Sequence, residues 1–265
     1  MTEKYGVLGS PISHSLSPAI HKAAFNLVGR TADYVLVDTA NLVEWFPNHA
    51  AEFSGLSLTM PLKEQAFAHS SWVDEVAAVT RSINTMVPSA DGWRAYNTDP
   101  AGIRYAISGN NRFSRAKAAT IIGTGATARS AAYSLRSLGI AVSVWGRNSE
   151  SAREIANLGS GSAQSNFQKA IESEFLISTL PMGVLGDLIP TGFTPTGVLL
   201  DVGYRPWPTP CAKVWMQRGE AISGLEMLIG QALVAQRIFN FSNPDTALPD
   251  EPAILQAMHR AALGE

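Results

Sequence analysis

The stretch AATIIGTGATA, Ala118 to Ala128, passes from an apolar run through a glycine loop into an alanine-rich segment, Ala126 to Leu138, with helical spacing. Strand, GxGxxA and helix in that order form a dinucleotide-binding turn. Gly123 allows the tight turn, Gly125 lets a pyrophosphate approach the backbone, and small Ala128 lets the helix lie close to the strand. Gly123, Thr124, Gly125, Ala126 and Thr127 are therefore the candidate phosphate cradle, with free N–H groups facing the anion.

The next apolar run, Ala141 to Trp145, reads as the second strand, and Gly146, Arg147, Asn148 and Ser149 follow it. An NAD site places a carboxylate here for the ribose diol. None is present. Arg147 can pair bidentately with a 2'-phosphate and Ser149 offers a hydroxyl, so NADP is expected in preference to NAD. Charge agrees: Pro100 to Ser149 holds no Asp or Glu but seven bases, Arg104, Arg112, Arg115, Lys117, Arg129, Arg136 and Arg147, in a chain of net charge -2. Arg147, followed by Arg129, is expected to face the dinucleotide, with Arg112, Arg115 and Lys117 as solvated surface.

Upstream, Tyr5–Leu8, Tyr34–Val37 and Leu56–Thr59 read as strands, and Pro18–Val28 and Leu42–Phe53 as helices, the first with Ser17 as N-cap. This βαβαβ order predicts a mostly parallel sheet. Glu174–Ser178 and Val198–Asp201 supply further strands downstream. Gly224–Phe239 and Asp250–Leu263 read as a helical pair that packs on one of the two sheets. The chain is thus α/β with two domains, an N-terminal α/β domain and a Rossmann-like NADP-binding domain, meeting near Asp99 to Gly102.

A lone Cys211 and an opening MTEKYGVLGSPIS without the build of a signal peptide point to the cytosol. No apolar stretch reaches the length of a bilayer span, and the near-neutral charge argues against a nucleic-acid partner.

Hydride transfer to a carbonyl needs a proton for the developing alkoxide. None of His14, His21, His49, His69 or His259 stands in a catalytic setting. Lys63 is better placed, just beyond the strand LSLT, where open α/β sheets bind ligands, as is Asp99, which closes YNTD and could otherwise cap a helix.

These segments resemble the shikimate dehydrogenase family over nearly the whole chain. GSPISHSLSP (Gly9–Pro18) is similar to its substrate signature, SLTMPLK (Ser57–Lys63) to its NxTxPxK motif, and INTM and NTD to the segments carrying Asn84 and Asp99. DVGYRPWPTP (Asp201–Pro210) is similar to its DxxYxPxxTP segment and GLEMLIGQ (Gly224–Gln231) to its C-terminal signature. The resemblance implies a substrate site of Ser15, Ser17, Ser57, Thr59, Lys63, Asn84, Asp99, Tyr204 and Gln231, with Ser15, Ser17 and Tyr204 at the carboxylate. It adds Val202 and Gly224 to the cofactor residues. Lys63 becomes the proton-transfer or charge-stabilising group and Asp99 its orienting partner, with hydride passing between nicotinamide C4 and substrate C3 and no metal involved. The implied domains are residues 1–101 with 240–265 for substrate and 102–239 for NADP, in a monomer or homodimer.

Three positions depart from the family pattern: Ser57 for the usual asparagine, Thr124 for a smaller residue, and the SIN run before Asn84. Because Ser57 has one donor and a shorter reach, relatives acting on quinate or an amino analogue of shikimate stay open. A catalytically silent NADP-binding regulator would have lost Lys63 or Asp99, and both are present.

Overall fold

The computed structural model describes residues 2–265 and divides them into two compact units, 2–98 with 229–265, and 99–228. In the first unit the order is β1 (Glu3–Gly9), α1 (Ser17–Leu27), β2 (Ala32–Asp38), α2 (Leu42–His49), β3 (Gly55–Leu58), β4 (Trp72–Val73), α3 (Glu75–Thr80), β5 (Thr85–Ser89) and β6 (Gly92–Tyr96). The second holds α4 (Asp99–Ser108), β7 (Ala118–Ile122), α5 (Ala126–Ser137), β8 (Ala141–Trp145), α6 (Ser149–Leu158), β9 (Ser162–Ala163), α7 (Phe167–Ile171), β10 (Phe175–Ser178), α8 (Val184–Leu188), β11 (Val198–Asp201), α9 (Pro210–Trp215) and β12 (Glu220–Ser223). Then α10 (Gly224–Phe241) runs on into the first unit, and α11 (Glu251–Leu263) packs against α1. Among the described residues no helix is long and apolar enough to cross a membrane.

The second sheet is wholly parallel in the order β12-β11-β10-β7-β8-β9. Counted from β7, this is the 3-2-1-4-5-6 arrangement of a dinucleotide-binding fold, with the strand order reversing between β7 and β10. Alternate residues cover its two faces, as a sheet buried on both sides requires. Ile121, Val144, Ile177 and Leu200 pack with α4, α5 and α6, while Ile122, Leu176 and Leu199 pack with Ala170, Ile171, Cys211 and Trp215.

The first sheet, β2-β1-β3-β5-β6-β4, is mixed. Its β2-β1-β3 half is parallel, but β5 runs antiparallel to β3 and forms a hairpin with β6. The hairpin turns at Ala90–Asp91 and closes with Gly92 at φ +121, a conformation glycine adopts at no steric cost. Tyr5, Val7 and Tyr34 face α1 and the second half of α10; Leu8, Leu56 and Leu58 face α2.

Several boundaries differ from the sequence reading. The units divide at 98/99 and 228/229, not at 101/102 and 239/240. The second break falls inside α10 because Met227 packs in the core of the 99–228 unit, whereas Ala235, Ile238 and Phe239 pack on Tyr5 and Phe25. Helix α2 stops at His49: Pro47 lacks an N–H, and the chain tightens into a 3-10 turn in which Phe53 N–H donates to Ala50 O at 3.0 Å. Ser17 is the first residue of α1 and does not cap it; its own N–H is taken by Ser15 Oγ at 3.3 Å.

Asp74 caps α3, its Oδ1 accepting Ala77 N–H at 2.8 Å, yet burial pushes its carboxyl up from 3.8 to about 6. The folded value lies above the unfolded one, so the charged group opposes folding above pH 6. That opposition vanishes once both states are protonated, below the ordinary value. Asp74→Asn keeps the capping oxygen without the charge. Its Tm should exceed that of the wild type by about 2–4 °C near pH 8, with the difference shrinking to none towards pH 4; a lower Tm near pH 8 would contradict this account.

Candidate active site

In the first unit the site residues gather where β1 and β3 end. Thr59 N–H donates to Leu8 O at 2.9 Å and Ser10 N–H to Met60 O at 3.1 Å, so the loops after the two strands run side by side. The loop after β1 carries Ser15 and Ser17. Its Ser15 N–H bonds Ile12 O at 2.9 Å, and Pro18 sits in the first turn of α1 with its fixed φ. The loop after β3 carries Thr59 and Lys63. Lys63 is half-buried, and its carbonyl accepts Ile83 N–H at 3.0 Å, which ties it to the residue before Asn84.

Asn84 is buried and fixed on all sides. Its N–H donates to Tyr96 O, its Oδ1 accepts from Thr98 N at 2.9 Å and Thr85 Oγ1 at 3.0 Å, and its Nδ2 donates to Thr98 Oγ1 at 3.0 Å. The Oε1 of Gln231, on α10, accepts from Thr98 Oγ1 at 3.1 Å and Asn84 Nδ2 at 3.4 Å. Thr98 thus joins two polar side chains that are 147 residues apart in sequence. Ser57 lies inside β3, buried opposite Thr85, and Tyr34 on β2 donates its hydroxyl to Ser57 Oγ at 2.7 Å.

In the second unit each candidate cofactor loop leaves the carboxyl end of a parallel strand. Gly123 follows β7 at φ +123, and the Thr179 hydroxyl occupies the place that a Cβ on Gly123 would take. Thr179, just past β10, also bonds Ile122 O through both N–H and Oγ1, at 2.9 and 3.1 Å. The loop is therefore locked on the side facing the sheet. Gly125 has open space around it, and no side chain caps α5 and no acidic residue sits in its first turn. That end presents free N–H groups and partial positive charge, which fits a pyrophosphate.

Past β8, Arg147 is exposed, and no described residue bonds it. Asn148 Oδ1 already caps α6, accepting from Glu150 N and Ser151 N at 3.0 and 3.1 Å. The methyl of Thr124 packs over Gly146, which directs this larger residue inward. Val202 follows β11, and its backbone lies so close to Gly224 that a Cβ there would collide with it. Asp99 is 4 % exposed in the first turn of α4, where the helix dipole favours its carboxylate. Tyr204 is half-buried in the loop after β11.

Residues 7–86 match the family profile described as the shikimate dehydrogenase substrate binding domain. A shikimate dehydrogenase (NADP(+)) of Thermus thermophilus is 31% identical, the match covering 98% of this chain and 99% of that one. The chain belongs to the shikimate dehydrogenase family. Among solved members, that of Mycobacterium tuberculosis has a TM-score of 0.85 at 33% identity, covering 99% of this chain and 100% of its own. A Thermus thermophilus shikimate dehydrogenase in complex with NADP(H) and shikimate has a TM-score of 0.84 at 31% identity, over 98% and 100%. Against the family pattern, the Ser57 departure comes with a partner, Tyr34. The sequence reading missed Tyr34, Thr98 and Thr179; only Thr179, a polar residue at a strand's carboxyl end beside the strand-order reversal, carried a legible signal.

The loop carrying Val202 and Tyr204 is pinned from below. Buried Asp201 accepts from Thr209 Oγ1 at 2.6 Å and Cys211 Sγ at 2.9 Å. Burial and the neighbouring carboxylate push the Cys211 thiol up to about 12, so it stays a thiol and a donor. A disulfide reagent such as DTNB at pH 8 should leave the native chain unlabelled and label one thiol per chain in denaturant; labelling of the native chain would show that the pinned loop opens.

Proposed function

We infer that this chain catalyses the reversible, NADP-dependent interconversion of shikimate and 3-dehydroshikimate, a step of aromatic amino acid biosynthesis. The observation that carries this reading is the near-full-length similarity to NADP-dependent shikimate dehydrogenases, with every candidate polar group of the site present. It acts on small molecules, in the cytosol, as a monomer or homodimer.

Ser15, Ser17 and Tyr204 receive the substrate carboxylate through neutral donors. Ser57, Thr59, Asn84 and Gln231 bind its hydroxyls, with Asn84 and Gln231 pre-set by Thr98 so that little ordering remains when substrate arrives. NADP, when bound, supplies the hydride acceptor or donor. Gly123 to Thr127 hold its pyrophosphate, Arg147 and Ser149 the 2'-phosphate with Asn148 beside them, and Val202 and Gly224 line the nicotinamide side. Lys63 Nζ is the donor to the C3 oxygen, which gains charge as the carbonyl is reduced, and it takes the proton in the reverse direction. Asp99, a carboxylate at a helix start, orients Lys63, and the pair together binds the reacting C3 oxygen.

Absorbance of NADPH, followed with shikimate or quinate and either nucleotide, should give the highest kcat/KM for shikimate with NADP; a higher value for quinate with NAD would overturn the reading. Lys63→Ala should lower kcat by roughly 10²-fold or more with little change in either KM. Arg147→Ala should raise the KM for NADP roughly 10-fold while kcat holds; unchanged kcat in the lysine variant would remove Lys63 from catalysis.

A further inference from the structure

A serine in place of an asparagine changes how a donor is aimed. An amide carries two N–H bonds fixed in its plane, whereas a hydroxyl carries one proton that rotates freely about C–O until a neighbour fixes it. Ser57 has such a neighbour. Tyr34 pairs with Tyr5 across β2 and β1, and Ser57 pairs with Val7 across β3 and β1, so both side chains stand on the face that carries Tyr5 and Val7. From there the Tyr34 ring spans β1, and its hydroxyl donates to Ser57 Oγ at 2.7 Å. No other described residue bonds the Ser57 hydroxyl, so its own proton has no acceptor among them.

Tyr34 is itself fixed. Its ring stacks on His21 at 4.4 Å and 3°. Gln236 Nε2 donates to His21 Nδ1 at 2.9 Å, leaving the ring proton on Nε2, and burial holds His21 down at about 3, hence neutral. Burial also raises the Tyr34 phenol, so Tyr34 keeps its proton throughout the working range and has it to donate to Ser57 Oγ. Gln236 lies five residues beyond Gln231 on α10, so one helix carries both a direct substrate ligand and the far end of this stack.

We propose that Tyr34 is a positioning residue: by donating to Ser57 Oγ from a ring clamped on His21, it turns the single Ser57 proton towards a substrate hydroxyl and restores the donor that asparagine supplies elsewhere in the family. This rests on the reading of the site as a shikimate pocket.

The test is steady-state kinetics of Tyr34→Phe, Ser57→Ala and the double variant, with circular dichroism to verify folding. Tyr34→Phe should raise the KM for shikimate about fivefold, with kcat and the KM for NADP within about twofold. Ser57→Ala should do at least as much, and the double variant no more than Ser57→Ala alone, because Tyr34 acts through Ser57. A merely structural tyrosine would instead lower Tm and leave the KM for shikimate unchanged, or add its effect to that of Ser57→Ala; either result overturns the proposal. An unchanged KM in Ser57→Ala overturns it however Tyr34→Phe folds. A wild-type chain that reduces no NADP with shikimate would overturn the functional reading first, and this proposal with it.

Discussion

Parallel pairing sends successive strands of a sheet out at the same edge, and in the second unit that constraint places every candidate cofactor residue. The register sets Ile122 beside Trp145 and Ser178, Ser178 beside Asp201, and Asp201 beside Ser223. The very next residues are Gly123, Gly146, Thr179, Val202 and Gly224. Five chain segments turn at one edge, so backbones and side chains crowd there. Crowding explains why the Thr179 hydroxyl stands where a Gly123 Cβ would be, and why Val202 leaves no space for a side chain at Gly224. The same rule acts in the first unit, where β1, β2 and β3 end at Gly9, Asp38 and Leu58, and the loops from Gly9 and Thr59 share backbone bonds.

The second half of α10 ties the first unit together. Arg30, just before β2, donates to Glu3 and to the Tyr5 hydroxyl on β1 and to Phe239 O and Asn240 on α10. One guanidinium, planar and always charged, thereby fixes three segments at once. Arg237 does the same for the C-terminus, with paired 2.7 Å bonds to Glu251 on α11. With the last turn of α10 tied by both arginines, Gln231 meets Asn84 and Thr98 from a helix anchored at its C-terminal end.

The legible parts of this molecule were those governed by local rules. GTGATA announced its strand, turn and helix because phosphate-loop geometry demands small residues at fixed spacing, and Ala118–Ile122 and Ala141–Trp145 agree residue for residue with the structure. The first sheet is mostly parallel, as its βαβαβ order predicts, but the Thr85–Tyr96 hairpin carries no signal in that reading, since only Thr85 and Met86 of it fall in a family motif. The domain break inside α10 was hidden because apolar residues recur along the whole helix, and only tertiary packing decides which core each turn enters. Tyr34 and Thr98 were hidden for a similar reason: a polar group buried within a strand or after one looks like any other until its partner, 23 or 133 residues away, is known. The charge reading divided as expected for Arg112, which meets Glu174, Glu220 and Thr196 O on the surface, while Arg147 stays exposed beside the phosphate loop.

The central claim is that one sheet edge in each unit holds one ligand, NADP at the loops after β7, β8 and β11, and shikimate at the loops after β1 and β3. A crystal structure of the chain grown with NADP and shikimate tests it directly. The account predicts the pyrophosphate on the N–H groups of Gly125 to Thr127, the 2'-phosphate on Arg147, and the shikimate carboxylate at Ser15 and Ser17 with its C3 oxygen at Lys63. A dinucleotide whose 2'-phosphate turns away from Arg147, or a shikimate bound without Ser15, Ser17 and Lys63, would contradict it.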